Sequence, residues 1–426
     1  MTDAALPLDG LKVLEISTAW AGPMLGRILR GFGADVVKLE SLDAIDNWRG
    51  AVKGDDRVRY PDGEPGERPY NRSAWFNAQN LGKQSLGLNL KAPQARAAVD
   101  AMVRGSDIVI SNFAAGALQR MALGYEDLRR LRGDIILLEM VVTGEGGPLA
   151  DTRGVGPTME ALAGMTVLTG YGDGVPQRTG PAYVDPIGAL NGAMAVLLAV
   201  YHRARTGQGQ RIELAQRESL MHWYGERLLL AAQEGVEPMP HGNRLSWAAP
   251  HDAYRAAGDD EWVAIAVFDD TQWQTLCGAI EQPQLVQDPR FERAADRLEQ
   301  AQALRDLIEV WTSKRDKHLA ARHLQAHGVC AAPVCCGRDA WNDPQLLATD
   351  FLFDLDHPEA GLHRYCDLPF RFEGVHDRAR QAAPLLGQHT RELLQRRAGL
   401  ATDEIDALVQ SGVALQAGEP MANNLV

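Results

Sequence analysis

The chain has 426 residues, 45% hydrophobic and 23% charged, a balance that excludes a largely disordered protein and supplies ample core material. At about 150 residues per domain, this length fits two or three domains or one large α/β unit with an insertion. Forty-three Lys and Arg against 56 Asp and Glu leave a net charge of −13, which argues against nucleic acid and anionic membranes as partners.

Leu11–Ile16 reads as a short buried strand. Pro23 then opens a helix whose apolar stripe is Met24, Leu25, Ile28, Leu29 and Phe32, and Gly31 and Gly33 close it. Val36–Leu39 is the next strand. Strand, helix and strand in so short a span make a βαβ unit and so a parallel sheet. From Ser41 to about Ser73 the pattern gives way to a polar, Gly/Pro/Arg/Asp-rich stretch, longer than inert loops usually run.

The alternation then resumes. Pro93–Arg104 reads as helix, Asp107–Ser111 as strand, Ala115–Leu123 as helix and Asp134–Val142 as strand, followed by a glycine-rich stretch at 144–147. Pro186–Arg205 is the strongest helical pattern, with Asp185 placed at its N-cap, Pro186 at N1 and Gly207 beyond its end. A further helix is expected over about 213–233. After the link at 237–242 the rhythm changes. Ala253–Arg255 and Trp262–Val267 flank a Gly258-Asp259 turn as a hairpin, and helices follow at about 270–280 and 300–327. Residues 245–330 are therefore the candidate second domain. Strand patterns at Phe351–Leu355 and Tyr365–Phe372 lead to a terminal helix at Thr390–Arg397.

No segment approaches 18 uninterrupted apolar residues, and the first ten lack a basic and apolar leader, so a soluble cytoplasmic protein is expected. Five cysteines without CxxC spacing fit a reduced protein without disulfides. No GxGxxG, GxxxxGK[ST] or GxSxG occurs, which argues against nucleotide binding by such loops and against a serine elbow. His323 and His327 with Cys330 imitate metal spacing, but an exposed helical face explains them, and no metal is expected. Cys335-Cys336 reads as a strand pair that packs as small hydrophobes.

The informative residues lie just past strands, where open α/β sheets bind ligands. Ser17-Thr-Ala-Trp-Ala-Gly-Pro23 and Asn112-Phe-Ala-Ala-Gly-Ala117 both put small residues ahead of a helix start, with Arg120 one turn later. Free N–H groups and the helix dipole there favour an anion, although ordinary βα loops share the pattern. Asp185 carries the same ambiguity. Asp before Pro at a helix start fits a simple cap, yet the same position suits an ionised nucleophile.

At these positions the chain resembles the class III coenzyme A transferases, also called the CaiB/BaiF type, over about residues 8–413. The markers are Leu8-Asp-Gly-Leu-Lys-Val-Leu14, Ala21-Gly-Pro23, Gly33-Ala-Asp-Val-Val-Lys-Leu-Glu40 and Gly116-Ala-Leu-Gln-Arg-Met121. Later ones are Arg205-Thr-Gly-Gln-Gly-Gln210, His241-Gly-Asn-Arg244, Asp288-Pro-Arg-Phe291 and Gly387-Gln-His-Thr390. Their order and spacing together are specific.

The resemblance implies an α/β fold with a large Rossmann-like domain, a smaller inserted α+β domain and two subunits threaded through each other as an interlocked homodimer. On that basis residues 1–225 and 331–426 build the large domain, 226–244 is a linker and 245–330 is the small domain. The implied activity is CoA transfer from an acyl-CoA donor to a free carboxylic acid, through an aspartyl-CoA thioester on Asp185. Coenzyme A and acyl-CoA then enter as substrates, with no permanently bound cofactor. The implied coenzyme contacts are Thr18, Ala19, Trp20, Ala21, Leu88, Lys91, Asn112, Phe113, Ala117, Arg120, Met121 and Arg153.

Three departures from the formyl-CoA enzyme of that family bear on substrate choice. Thr18 and Trp20 replace a histidine and a glutamine, Ser41 replaces a basic residue, and Leu245-Ser-Trp-Ala-Ala-Pro250 stands in place of a glycine loop. Formyl or oxalate chemistry is therefore not expected. The alternatives are a 2-methylacyl-CoA racemase, a CoA-ester lyase or hydrolase, and a silent CoA-binding protein. The racemases carry a histidine in Gly-His-Asp where this chain has Gly154-Val155-Gly156, and valine transfers no proton.

Overall fold

A computed structural model describes residues 5–50, 57–171, 175–234, 240–373 and 380–418. It divides into two units: residues 1–164, 180–226 and 345–426 in the larger, and 165–179 and 227–344 in the smaller. The smaller unit thus takes in three stretches beyond the 245–330 block expected from sequence: 165–179, 331–344 and, from the expected linker, 227–244. One reason is local to that unit: Lys317 reaches across to Asp339 at 2.6 Å.

The larger unit is built on strands β1 (Lys12–Ile16), β2 (Asp35–Ser41), β3 (Gln84–Leu88), β4 (Ile108–Ser111), β5 (Ile136–Val141) and β6 (Arg211–Ala215). They lie side by side in the order β3-β2-β1-β4-β5-β6, each parallel to its neighbour. Ala414–Leu415 closes the outer edge of β3 as an antiparallel strand. This is the doubly wound order, whose ligand crevice opens between β1 and β4 where the chain reverses direction across the sheet.

Both faces are covered, so the strands are apolar on both sides. Leu14, Ile16, Val37 and Leu39 point to one core, with Ala98, Val99, Met102 and Leu393 packed on it. Val13, Val36, Ile108, Ile110 and Ile136 point to the other, beneath helices α1 (Ala21–Gly31) and α3 (Val184–Thr206). Helix α2 (Gly156–Ala163) precedes α3 in the chain. Helix α3 is long and apolar enough to cross a membrane by length and composition, with mean hydropathy 1.5. Here its small residues Ala189, Gly192 and Ala193 bury one side against the core. Leu190, Met194, Leu198 and Tyr201 form an exposed apolar stripe on another side, 40–61% exposed. A helix apolar all round in this way has a second face left to cover.

The βαβ start and strands β4 and β5 match the sequence expectation. Strand β3 was not foreseen: Gln84, Ser85 and Gly87 break the apolar pattern, and the Ser85 hydroxyl and the Gly87 N–H find their partners inside the fold. Ser85 Oγ, for example, bonds Glu40 Oε1 at 2.5 Å. Strand β6 corrects the helix expected over 213–233, since Arg211–Ala215 pairs with Leu137–Val141 and helix begins only at Gln216. The helix expected at Ala115–Leu123 shrinks to one turn, Ala117–Arg120. A helix at Thr402–Gln410 follows the one expected to be terminal.

In the smaller unit the expected hairpin becomes β7 (His251–Arg255) and β8 (Trp262–Ala266), joined by β9 (Cys330–Pro333) in an antiparallel sheet. Trp273, Phe291, Ile308 and Leu324 fill the core between this sheet and its helices. Cys335 and Cys336 lie beyond β9 and are exposed, so they are not a packed strand pair.

Candidate active site

Strands β1 to β5 deliver their carboxyl ends to one edge of the sheet, and the loops that follow them carry nearly all the residues singled out from sequence. Asp185 meets this edge from α3. It lies in the helix's first turn, with Tyr183 as the N-cap residue, which corrects its expected role as the cap. Its carboxylate is therefore not spent on closing its own helix. It accepts a hydrogen bond from the backbone N–H of Ala21, the first residue of α1.

Burial pushes the Asp185 carboxyl up to about 6, and the charge of Glu160 adds to the rise, while the Ala21 N–H opposes it. Glu160 was not foreseen. It is buried in α2 and accepts the Tyr183 N–H at 2.6 Å, so it anchors the start of the helix that carries Asp185. Gly156, in the same helix, faces the carboxylate directly. A Cβ at that position would lie 2.5 Å from Asp185 Oδ2 and 2.3 Å from the Ala182 Cβ.

The loop after β1 is tied to the loop after β4. Asn112 Oδ1 accepts the Thr18 N–H at 3.0 Å, and Asn112 Nδ2 donates to the Thr18 carbonyl at 2.7 Å. Ala19 adopts φ +62°, a conformation that costs a non-glycine residue about 1–3 kcal/mol. Its N–H donates to Asp46 Oδ1 at 2.9 Å. The Trp20 ring packs against Trp48 with centroids 5.5 Å apart, and Trp48 packs on Trp75 at the same spacing.

Thr18–Ala21 is thus held to three different parts of the chain: Thr18 to Asn112, Ala19 to Asp46 and Ala21 to Asp185. The other expected contacts lie at or after the ends of β3, β4 and β5 in the chain. Leu88 ends β3 in the core. Phe113 and Met121 pack on the core beside β4, and Ala117 and Arg120 bound the single turn between them. Arg120 and Arg153 are exposed. Lys91 is also exposed, but its ammonium lies 2.7 Å from Asp43.

Asp46 and Gly156 are the other positions that sequence reasoning missed. Asp46 lies in the polar 41–73 stretch, which is far from loose where it is described. Arg49 is fully buried and bonds both Glu40 oxygens at 2.6 and 2.7 Å. Residues 51–56 of this stretch lie outside the described residues. Among the described residues no cluster of three or more His, Cys, Asp and Glu is arranged to hold a metal. The smaller unit holds a separate cavity of about 1060 Å³ beside Arg244, His251, Trp262 and Lys317, and its lining includes neither Asp185 nor any of the expected coenzyme contacts.

The model for CoA-transferase family III matches residues 8–390. The chain belongs to that family. A succinyl-CoA–D-citramalate CoA-transferase from Chloroflexus aurantiacus is 30% identical over 94% of this chain and 96% of its own length. A succinyl-CoA:mesaconate CoA-transferase from Haloarcula hispanica is 33% identical over 93% of this chain and 97% of its own. The crystal structure of a CaiB/BaiF family protein from Brucella suis superposes with a TM-score of 0.80, at 29% identity over 92% of this chain and 99% of that one. This CoA-transferase is therefore an enzyme of acyl-CoA metabolism, and CoA thioesters and carboxylates fit it as substrates.

Proposed function

We propose that this CoA-transferase works through a covalent aspartyl-CoA thioester on Asp185. The observation that carries the reading is a half-buried carboxylate, held by a backbone N–H and facing a glycine, at the mouth of the β1–β4 crevice. Above about pH 6 the group is ionised and poorly solvated, which suits a nucleophile.

Asp185 attacks the acyl carbon of the donor ester. A C–O bond forms, the C–S bond breaks and CoA leaves as thiolate, giving a mixed anhydride. The thiolate then attacks the Asp185 acyl carbon and releases the donor acid, leaving aspartyl-CoA. The acceptor carboxylate attacks that thioester to form a second anhydride and free the thiolate again. Thiolate attack on the acceptor's acyl carbon yields the new CoA ester and restores Asp185. Like bonds are exchanged throughout, so neither ATP nor a bound cofactor is needed.

The substrate class we assign is a short dicarboxylic acid with succinyl-CoA as donor. The names of both curated relatives support this, as do Thr18 and Trp20, which stand where the formyl-CoA enzyme has a histidine and a glutamine. Thr18, Ala19, Trp20, Ala21, Leu88, Asn112, Phe113, Ala117 and Met121 line the coenzyme, and Lys91, Arg120 and Arg153 meet its phosphates. With succinyl-CoA and a dicarboxylic acceptor, Arg120→Ala and Arg153→Ala each raise KM for the CoA ester about tenfold and leave kcat within about twofold. Unchanged KM in both would remove the two arginines from the coenzyme site. Product mass closes the same assay: a new CoA ester marks transfer, whereas free CoA and succinate alone would mark a hydrolase. Val155, where the racemases carry histidine, is an exposed alkyl side chain with no proton to transfer.

We further propose that the second copy of an interlocked homodimer covers the outer stripe of α3, with the smaller unit as an inserted domain. Four exposed apolar residues in register on one helix, Leu190, Met194, Leu198 and Tyr201, support this. Leu198→Asp should convert the dimer to monomer in light scattering, and an unaltered dimer mass would locate the interface elsewhere.

A further inference from the structure

We infer that Asp46 is a positioning residue: it locks the backbone of Thr18–Ala21 so that the Ala21 N–H stays on the Asp185 carboxylate. The inference rests on Asp185 being the nucleophile. It concerns a side chain in the polar stretch after β2, three residues before a fully buried arginine.

Alanine holds a left-handed conformation only where its surroundings over-determine it. Ala19 is at φ +62°, one residue from the Thr18 that Asn112 clamps at both its N–H and its carbonyl. The remaining hold on Ala19 itself is Asp46. One oxygen, Oδ1, accepts the N–H of Ala19 and the N–H of Trp48, both at 2.9 Å. The loop is thereby tied to the turn at Asn47–Arg49. That turn is fixed in its own right, because Arg49 also donates to the carbonyls of Tyr70 and Pro384.

The other oxygen of Asp46 rests on a buried charge ladder that runs through β2 and β1 to the residue just before β3. Asp46 Oδ2 is 3.1 Å from Lys38 Nζ, Lys38 is 3.1 Å from Glu15, and Glu15 is 2.7 Å from Lys83. Both lysines also grip the loop. Lys38 donates to the Ser17 carbonyl at 2.8 Å and Lys83 to the Pro23 carbonyl at 2.7 Å. The segment between β1 and α1 is therefore held at its start by Lys38 and in its middle by Asp46, and Lys83 holds the first turn of α1 that follows it. Two residues past the Asp46 contact is the N–H that touches Asp185. Four charged side chains without solvent are an expensive way to hold a loop, and the geometry at Asp185 is what the arrangement controls.

The test separates positioning from stability. Asp46→Ala lowers kcat about thirtyfold with KM for the CoA ester within about threefold, since a displaced contact in a reacting geometry costs rate before binding. Adding Ala19→Gly to that variant restores at least about fivefold in kcat without restoring Tm, because glycine takes the left-handed conformation without the aspartate. Asp46→Asn keeps an acceptor oxygen and stays within about fivefold of the parent kcat although its Tm falls. It is also the arm that remains should Asp46→Ala not fold, and a loss beyond about thirtyfold in Asp46→Asn overturns the proposal. So does Asp46→Ala with kcat within about twofold of the parent at a lowered Tm, which would make Asp46 purely structural. Asp185→Asn is run in parallel. If it retains transfer, the nucleophile reading fails and takes this proposal with it. If it is inactive while Asp46→Ala is unimpaired in kcat, the positioning role alone fails.

Discussion

Asp185→Asn abolishes transfer, with a loss of at least about a thousandfold in kcat, and raises the melting temperature at pH 8 by about 2–4 °C. The first half follows from chemistry, because an amide can neither attack the donor acyl carbon nor carry the thioester. The second follows from burial. The carboxyl is pushed up from 3.8 to about 6 in the folded protein, so the folded state binds its proton more tightly than the unfolded chain does. Below about pH 4 both states hold the proton and the site costs nothing. The cost builds between about pH 4 and 6 and is complete above, where the buried carboxylate is charged. Asparagine escapes it, so the Tm difference should vanish as the pH approaches 4. The parent enzyme's rate should fall tenfold per pH unit below about pH 6 for the same reason. Paired melts at pH 4.5 and 8, with rates from pH 5 to 8, check both halves.

Gly156→Ala is the second large effect. The added methyl would sit 2.5 Å from Asp185 Oδ2 and 2.3 Å from the Ala182 Cβ, inside any tolerable contact. Ala182 is backbone-borne and three residues before Asp185, so the carboxylate or the start of α3 must move. A displacement of this order lowers kcat about a hundredfold, while overpacking costs about 1–3 kcal/mol of stability. KM for the CoA ester should change little, because the coenzyme contacts proposed at Leu88, Lys91 and Arg120 lie along other strand ends. Steady-state kinetics and a melt on the purified variant decide it. An unimpaired kcat would mean that the carboxylate facing Gly156 does no chemistry.

Much of the larger unit was legible because its core strands are apolar on both faces and its first helix is amphipathic at clean spacing. Strands β3 and β6 were not, since Gln84 and Ser85 look like loop residues until Glu40 is placed beside Ser85, and Ile212 and Leu214 fit a helix as well as an edge strand. The family resemblance placed Asp185 and the loops past β1 and β4. Periodicity alone assigned Asp185 to the cap, where the structure puts Tyr183. What no local pattern carries is the partner across the chain. Thr18 and Asn112 are 94 residues apart, and Ala19 and Asp46 are 27 apart. Asp46 read as one polar residue among many in a long loop. Its meaning comes from the buried lysine beneath it and the left-handed alanine above it. The charge of −13 is likewise a total over the whole chain, and it is silent about exposed cations such as Arg120 and Arg153, proposed to meet the coenzyme phosphates.

The central claim is a covalent aspartyl-CoA thioester. The most direct measurement is the intact mass of the enzyme after brief incubation with succinyl-CoA and no acceptor acid, followed by peptide mapping. The account predicts a mass gain equal to CoA less one water on the peptide that contains Asp185, absent from Asp185→Asn and discharged when a dicarboxylic acceptor is added. An enzyme that turns over donor and acceptor while its own mass never changes, or an adduct on any other residue, would contradict it.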